Sequence, residues 1–112
     1  MNFYDKVHEM VRALKESNEY KEYIELKNQI KKDEKIYNMV KDFKDKQREL
    51  QIKHINGTQM TNEEKSAMEN IYSIIIQNEN ARKMLENEMK IDVMLADMQK
   101  IVGDGIKELV EF

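Results

Sequence analysis

Asp5-x-x-His8 is the one place in this chain where a carboxylate and an imidazole share helical i, i+3 spacing. Bundle proteins that hold two metal ions use paired Glu-x-x-His motifs plus further glutamates on facing helices. A zinc site needs three or four ligands at defined geometry. Here the motif occurs once, in an Asp version, and the other histidine, His54, lies 46 residues away. No metal site is expected. Glu88 and Asp92 stand at i, i+4, and Glu88 falls within an apolar helical stripe. A buried carboxylate of this kind can act as an acid or base. It can also pair with Gln47, or with a Lys or Arg on a facing helix, and fix register. No nucleophile or second catalytic group accompanies it, so the structural role is favoured. Gly103-Asp104-Gly105 lacks the preceding strand and the third glycine of a dinucleotide fingerprint. With no cysteine, thiolate catalysis, disulfides and cysteine-ligated clusters are excluded within the chain. No catalytic residue and no cofactor are expected.

Two further patterns invite a chemical reading. Asn56-Gly57-Thr58 matches a glycosylation acceptor, but the charged, amphipathic start of the chain is no secretory signal, and a cytoplasmic location is expected. Lys27, Lys31, Lys32 and Lys35 form a basic cluster that could meet RNA phosphates. The chain as a whole is acidic, at -3, and the cluster has no aromatic stacking platform.

The elements that position these residues are helices. The 112 residues contain no proline and only three glycines, while 40% are apolar and 37% charged. That profile fits a single helical domain, residues 1–112, with few turns and long solvated helices. Phe3, Val7, Met10, Val11 and Leu14 make a first stripe. Ser17 can cap a second helix that runs to about Lys31, with Tyr20, Tyr23, Ile24 and Ile30 inward. Asp33 can cap a third. In it Ile36, Val40, Phe43, Gln47, Leu50 and His54 recur at alternating spacings of four and three, a coiled-coil-like seam. The seam predicts one helix over about 34–56, with Phe43 and Leu50 largely buried. Gly57 suits the left-handed position beyond a helix end. Thr61-Asn62-Glu63-Glu64 reads as a capping box that opens a fourth helix, on which Met68, Ile71, Ile74 and Ile75 recur. Residues 55–64 are therefore a bend between helices.

Asn78 can cap a fifth helix over about 79–102. Its stripe is Ala81, Leu85, Glu88, Ile91, Leu95, Met98 and Val102, and Gly103-Asp104-Gly105 is expected to end it. The segment IKELVEF then forms an amphipathic tail that docks on the bundle or meets a partner. The fold class is all-α, an antiparallel bundle of about five helices, two of them long. No run approaches the ~20 apolar residues that span a bilayer, so no membrane contact is expected. Residues 1–56 carry 13 Lys/Arg against 11 Asp/Glu, net +2, and residues 57–112 carry 6 against 11, net -5. The nine methionines include Met84, Met89, Met94 and Met98 on more than one face of the fifth helix, and such a helix must be covered on more than one side.

The order and spacing of these landmarks resemble the YlbF/YmcA family of small helical proteins of Gram-positive bacteria, in its YheA-like branch. The resemblance rests on NFYDKVHEMVRALKESNEYKEY, KKDEKIYNMVKDFKDKQRELQ, GTQMTNEE, NENARKMLENEMKIDVML and KIVGDGIKEL, which together cover nearly the whole chain. It implies a self-associating helical protein with no known catalytic residues. Some family members regulate competence, sporulation and biofilm formation within a complex that influences an mRNA-cleaving endoribonuclease. Certain members hold iron–sulfur clusters through cysteines, which this chain lacks. Asp33, Phe43, Gln47, Leu50 and Glu88 match recurrent family positions and read as structural or interface residues. Met94, Met98 and Ile101 join them as candidate interface residues. The expectation is a non-enzymatic interaction or adaptor protein, a homodimer with a protein partner in RNA processing or developmental control. The alternative is direct RNA binding through the Lys-rich region.

Overall fold

The computed structural model describes residues 2–112, and their regular structure is helical throughout: α1 (Phe3–Glu16), α2 (Asn18–Ile30), α3 (Glu34–Ile55), α4 (Asn62–Ile75), α5 (Glu79–Gly105) and a 3-10 turn (Lys107–Leu109). Each α-helix begins at a side-chain cap. Asn2 accepts from the Asp5 amide at 2.9 Å, Ser17 from Tyr20 at 3.3 Å, Asp33 from Ile36 at 3.3 Å and Asn78 from Ala81 at 2.9 Å. These caps satisfy amides that have no acceptor inside the helix. Ser17 has extended backbone between α1 and α2, and its hydroxyl also donates to the Leu14 carbonyl at 2.6 Å. A single residue thus ends one helix and starts the next.

The bend at 56–61 matches the expectation drawn from its residues. Gly57 has φ +86°, the one positive φ among the described residues. The amides of Gly57 and Thr58 return to the carbonyls of His54 and Lys53, closing the end of α3. The Thr61 hydroxyl accepts from the Glu64 amide, and the Glu64 carboxylate accepts from the Thr61 amide, both at 3.1 Å. Lys53 adds an ion pair to Glu64 at 3.0 Å. The Thr61 amide, and then Lys53, hold the Glu64 carboxyl below the usual carboxylate range. Farther from the bend, the rings of Phe43 and Tyr72 lie 5.8 Å apart. Residue numbers fall along α3 as they rise along α4, so the two helices form an antiparallel hairpin.

The chain divides into two compact units, residues 24–84 and residues 1–23 with 85–112, and passes between them within α2 and within α5. The first unit holds Ile30, Val40, Phe43, Ile75, Ala81 and Met84, all buried. The second buries Leu85, Ile91 and the polar Asn87. No buried side-chain nitrogen or oxygen among the described residues lacks a hydrogen-bond partner.

One expected helix end is corrected. Gly103-Asp104-Gly105 does not break α5, which continues through Gly105 to reach 27 residues. Glycine costs a helix about 1 kcal/mol relative to alanine but does not forbid it. Only a neighbouring demand for positive φ makes glycine a stop, and Gly57 alone meets one. The tail beyond Gly105 does not dock: Leu109 and Val110 are exposed, as is Phe112.

Two substitutions test this account. Thr61→Ala removes one of the two reciprocal cap bonds and is expected to cost about 1 kcal/mol in urea unfolding. Phe43→Ala removes a buried ring and is expected to cost about 3–5 kcal/mol. A Phe43→Ala protein that melts with the parent would show that Phe43 does not anchor the hairpin.

Candidate functional site

The seam along α3 is covered over only part of its length. Val40 and Phe43 are buried, Leu50 is half-buried, and Gln47 and His54 are exposed. Burial thus falls off from Phe43 to Leu50. The antiparallel register explains it. Val40, Phe43 and Ile75 lie at the end of the hairpin remote from the bend, where the unit's other buried residues also fall. Toward the bend, α3 has the first turns of α4 beside it and one face left open. Gln47, Leu50 and Ile55 from α3, Met60 from the loop and Met68 from α4 line a groove of about 620 Å³ on that face. Lys65 and Glu69, one helical turn apart on α4, stand at its border with His54. Ile55 is 81% exposed and Met60 47%, an unusual outlay of apolar surface for hairpin positions.

A second apolar groove lies between α1 and the second half of α5, in the other unit. Met10, Val11 and Leu14 face Met94, Leu95 and Met98 across about 350 Å³. Met94 and Met98 are half-buried there, and Ile101, one turn further on, is 72% exposed. The α1 stripe is thus only partly covered, and Phe3 at its start is exposed against Tyr4, ring centroids 5.4 Å apart.

Glu88 is half-buried on α5, and its carboxylate lies near enough to the hydroxyl of Tyr23 on α2 to act on it by charge and by a hydrogen bond that the phenol donates. Sequence reasoning had turned inward both Tyr23 and Glu88 without joining them, because neither stripe alone says which helices are neighbours. Burial first, and then the Glu88 charge and hydrogen bond, push the Tyr23 phenol up to about 12 from its ordinary 10.0. Tyr20 and Asp92 add smaller contributions of the same sign. A phenol held neutral beside a carboxylate is a hydrogen-bond donor. Asn87 and Ile55 are the residues that sequence reasoning missed. Asn87, beside Glu88, is buried yet lies off the apolar stripe by residue type. Ile55 ends α3 outside its seam.

The other chemical candidates remain apart. Among the described residues no three His, Asp or Glu side chains are placed to hold a metal ion, so Asp5 and His8 gain no further ligand. Lys31, Lys32 and Lys35 are exposed where α2 gives way to α3, and Lys27 is half-buried. No helix among the described residues is long and apolar enough to cross a membrane.

Comparison with known proteins gives a consistent result. Residues 3–107 match the family described as control of competence regulator ComK, YlbF/YmcA. A UPF0342 protein of Caldicellulosiruptor saccharolyticus is 40% identical over 105 residues, 94% of this chain and 88% of that protein. Another, from Symbiobacterium thermophilum, is 36% identical over 103 residues, 92% of each chain. Among solved structures, a protein of unknown function (DUF964) from Bacillus stearothermophilus aligns with TM-score 0.76, covering 96% of this chain and 95% of its own. At 19% identity it establishes the fold alone.

The Tyr23–Glu88 contact makes a pH-dependent stability testable. Folding raises the Tyr23 pKa, so the native state favours the protonated phenol. That stabilisation is complete below the unfolded value of 10.0 and is lost as pH rises through about 12. Ultraviolet titration should show one of the five tyrosines ionising late. Tyr23→Phe should remove that late phase and flatten the loss of stability between those two values. A late phase that persists in Tyr23→Phe would assign it to another tyrosine.

Proposed function

The chain belongs to the YlbF/YmcA family, and from that membership and its open apolar faces we propose that it is a non-enzymatic, self-associating interaction protein. It acts as a homodimer through protein–protein contacts, as an adaptor in the control of mRNA processing or of a developmental programme such as competence, sporulation or biofilm formation. The observation that carries this reading is the apolar surface left on the two grooves. Ile55 and Met60 on one groove, and Met10 and Val11 on the other, are all more than two-fifths exposed. Large contiguous apolar patches on soluble chains mark contact surfaces, and a two-fold dimer is the commonest way to cover them. The two groups with displaced pKa values, Tyr23 and Glu64, each have a structural cause in a helix contact or a cap. Neither calls for a catalytic role.

A second reading, direct RNA binding, is favoured by the exposed Lys31, Lys32 and Lys35. It requires affinity that falls steeply with salt, because released counterions drive such binding. The two readings separate in one pair of measurements. Light scattering at micromolar concentration should give twice the 13.5 kDa of one chain, and RNA should bind the isolated protein weakly or not at all at low salt. A mass of one chain together with salt-sensitive RNA binding would reverse the order of the two readings.

A further inference from the structure

We infer that the groove between α3 and α4 is the two-fold contact face of that dimer, with Lys65 of each copy set against Glu69 of the other. The inference rests on the reading of the chain as self-associating and adds which surface does it and in what register. Three observations point to a second copy as the occupant. The heptad-like seam of α3 does not stop where its cover stops. It runs on through Gln47, Leu50 and His54 with a half-buried leucine and two exposed polar side chains. A seam of this period is completed by further helices packing at the same repeat. Two helical hairpins placed face to face supply them and close a four-helix arrangement.

The second observation is charge. Lys65 and Glu69 border the groove on one face of α4, both exposed. Neither is ion-paired among the described residues, although Lys53 and Glu64 nearby are. A two-fold axis crossing α4 midway between them turns one copy end for end. Each lysine then faces the other copy's glutamate, and the same pair forms twice. An isologous interface demands this self-complementarity: what residue i meets as j, residue j must meet as i.

The third is the kind of side chain exposed. Met60, Met68 and Ile55 present flexible or branched apolar groups that can interdigitate with their own copies, methionine being the most adaptable filler of irregular gaps. The groove between α1 and α5 is a little over half as large.

The experiment is a charge-swap cycle on the full chain, read by the dimer dissociation constant from sedimentation. Lys65→Glu and Glu69→Lys each replace two attractive contacts by two repulsive ones. Each should raise the constant about tenfold. The double variant Lys65→Glu/Glu69→Lys restores opposite charges in exchanged order and should return to within about threefold of the parent. Because exposed ion pairs are weak, Ile55→Lys serves as a second probe. Its 81% exposure in one chain leaves folding intact, checked by circular dichroism, while a lysine in the contact should abolish dimerisation at micromolar concentration. If the parent is a monomer, the self-association reading fails and this inference with it. If the parent dimer ignores all of these changes but is dissolved by Met94→Lys, the reading stands. The contact face is then the α1–α5 groove, and the inference is overturned.

Discussion

The α3–α4 hairpin fixes the register on which the larger unit depends. At its closed end, Gly57 turns the chain, Thr61 and Glu64 exchange amide bonds, and Lys53 ties α3 to the cap. At its other end Phe43 meets Tyr72. Because helical side chains recur every 3.6 residues, these contacts decide which residue of each helix faces inward along the whole hairpin. They place Val40 and Ile75 in the core and leave Ile55, Met60 and part of Leu50 on an open face. A slip of one residue would rotate each helix by about 100° and break both the cap and the ring contact. The groove is thus a consequence of the same register that builds the core.

How much of this was legible in the sequence follows from how local each signal is. Caps act over three residues, so Asp33, Thr61–Glu64 and Asn78 announced helix starts that the structure places at the residues expected. Gly57 was readable because a left-handed residue must follow a helix end at a tight bend. The same logic overreached at Gly103 and Gly105, where no bend follows and α5 continues. The α3 seam was visible as a repeat, but a repeat says only that a face is apolar. It does not say whether the chain itself covers that face. Leu50 was expected in the core for this reason, and it sits half-buried at the edge of a groove. Tyr23 and Glu88 show the complementary failure. Each was placed on an inward face, yet their bond depends on how α2 approaches α5, which no local pattern encodes.

The proposed function rests on the incompletely covered faces more than on any reactive group. A chain with 37% charged residues and no proline makes long helices that are soluble along most of their surface. Some of its apolar side chains stay open at two grooves, one in each unit. Membership in a family described by control of a competence regulator suits a protein whose output is contact with other proteins. Self-association through one groove would leave the other, together with the exposed tail at Leu109 and Val110, available to a partner.

Five of the nine methionines supply the most direct test of where the copies meet, because they are divided between the two grooves. Met60 and Met68 belong to the α3–α4 groove, while Met10, Met94 and Met98 belong to the α1–α5 groove. The measurement is nuclear Overhauser transfer between copies in a sample mixing methyl-labelled and unlabelled protein. The account expects intermolecular signals at the Met60 and Met68 methyls and none at Met94 or Met98. Signals confined to Met10, Met94 and Met98, or no transfer between copies at all, would contradict it.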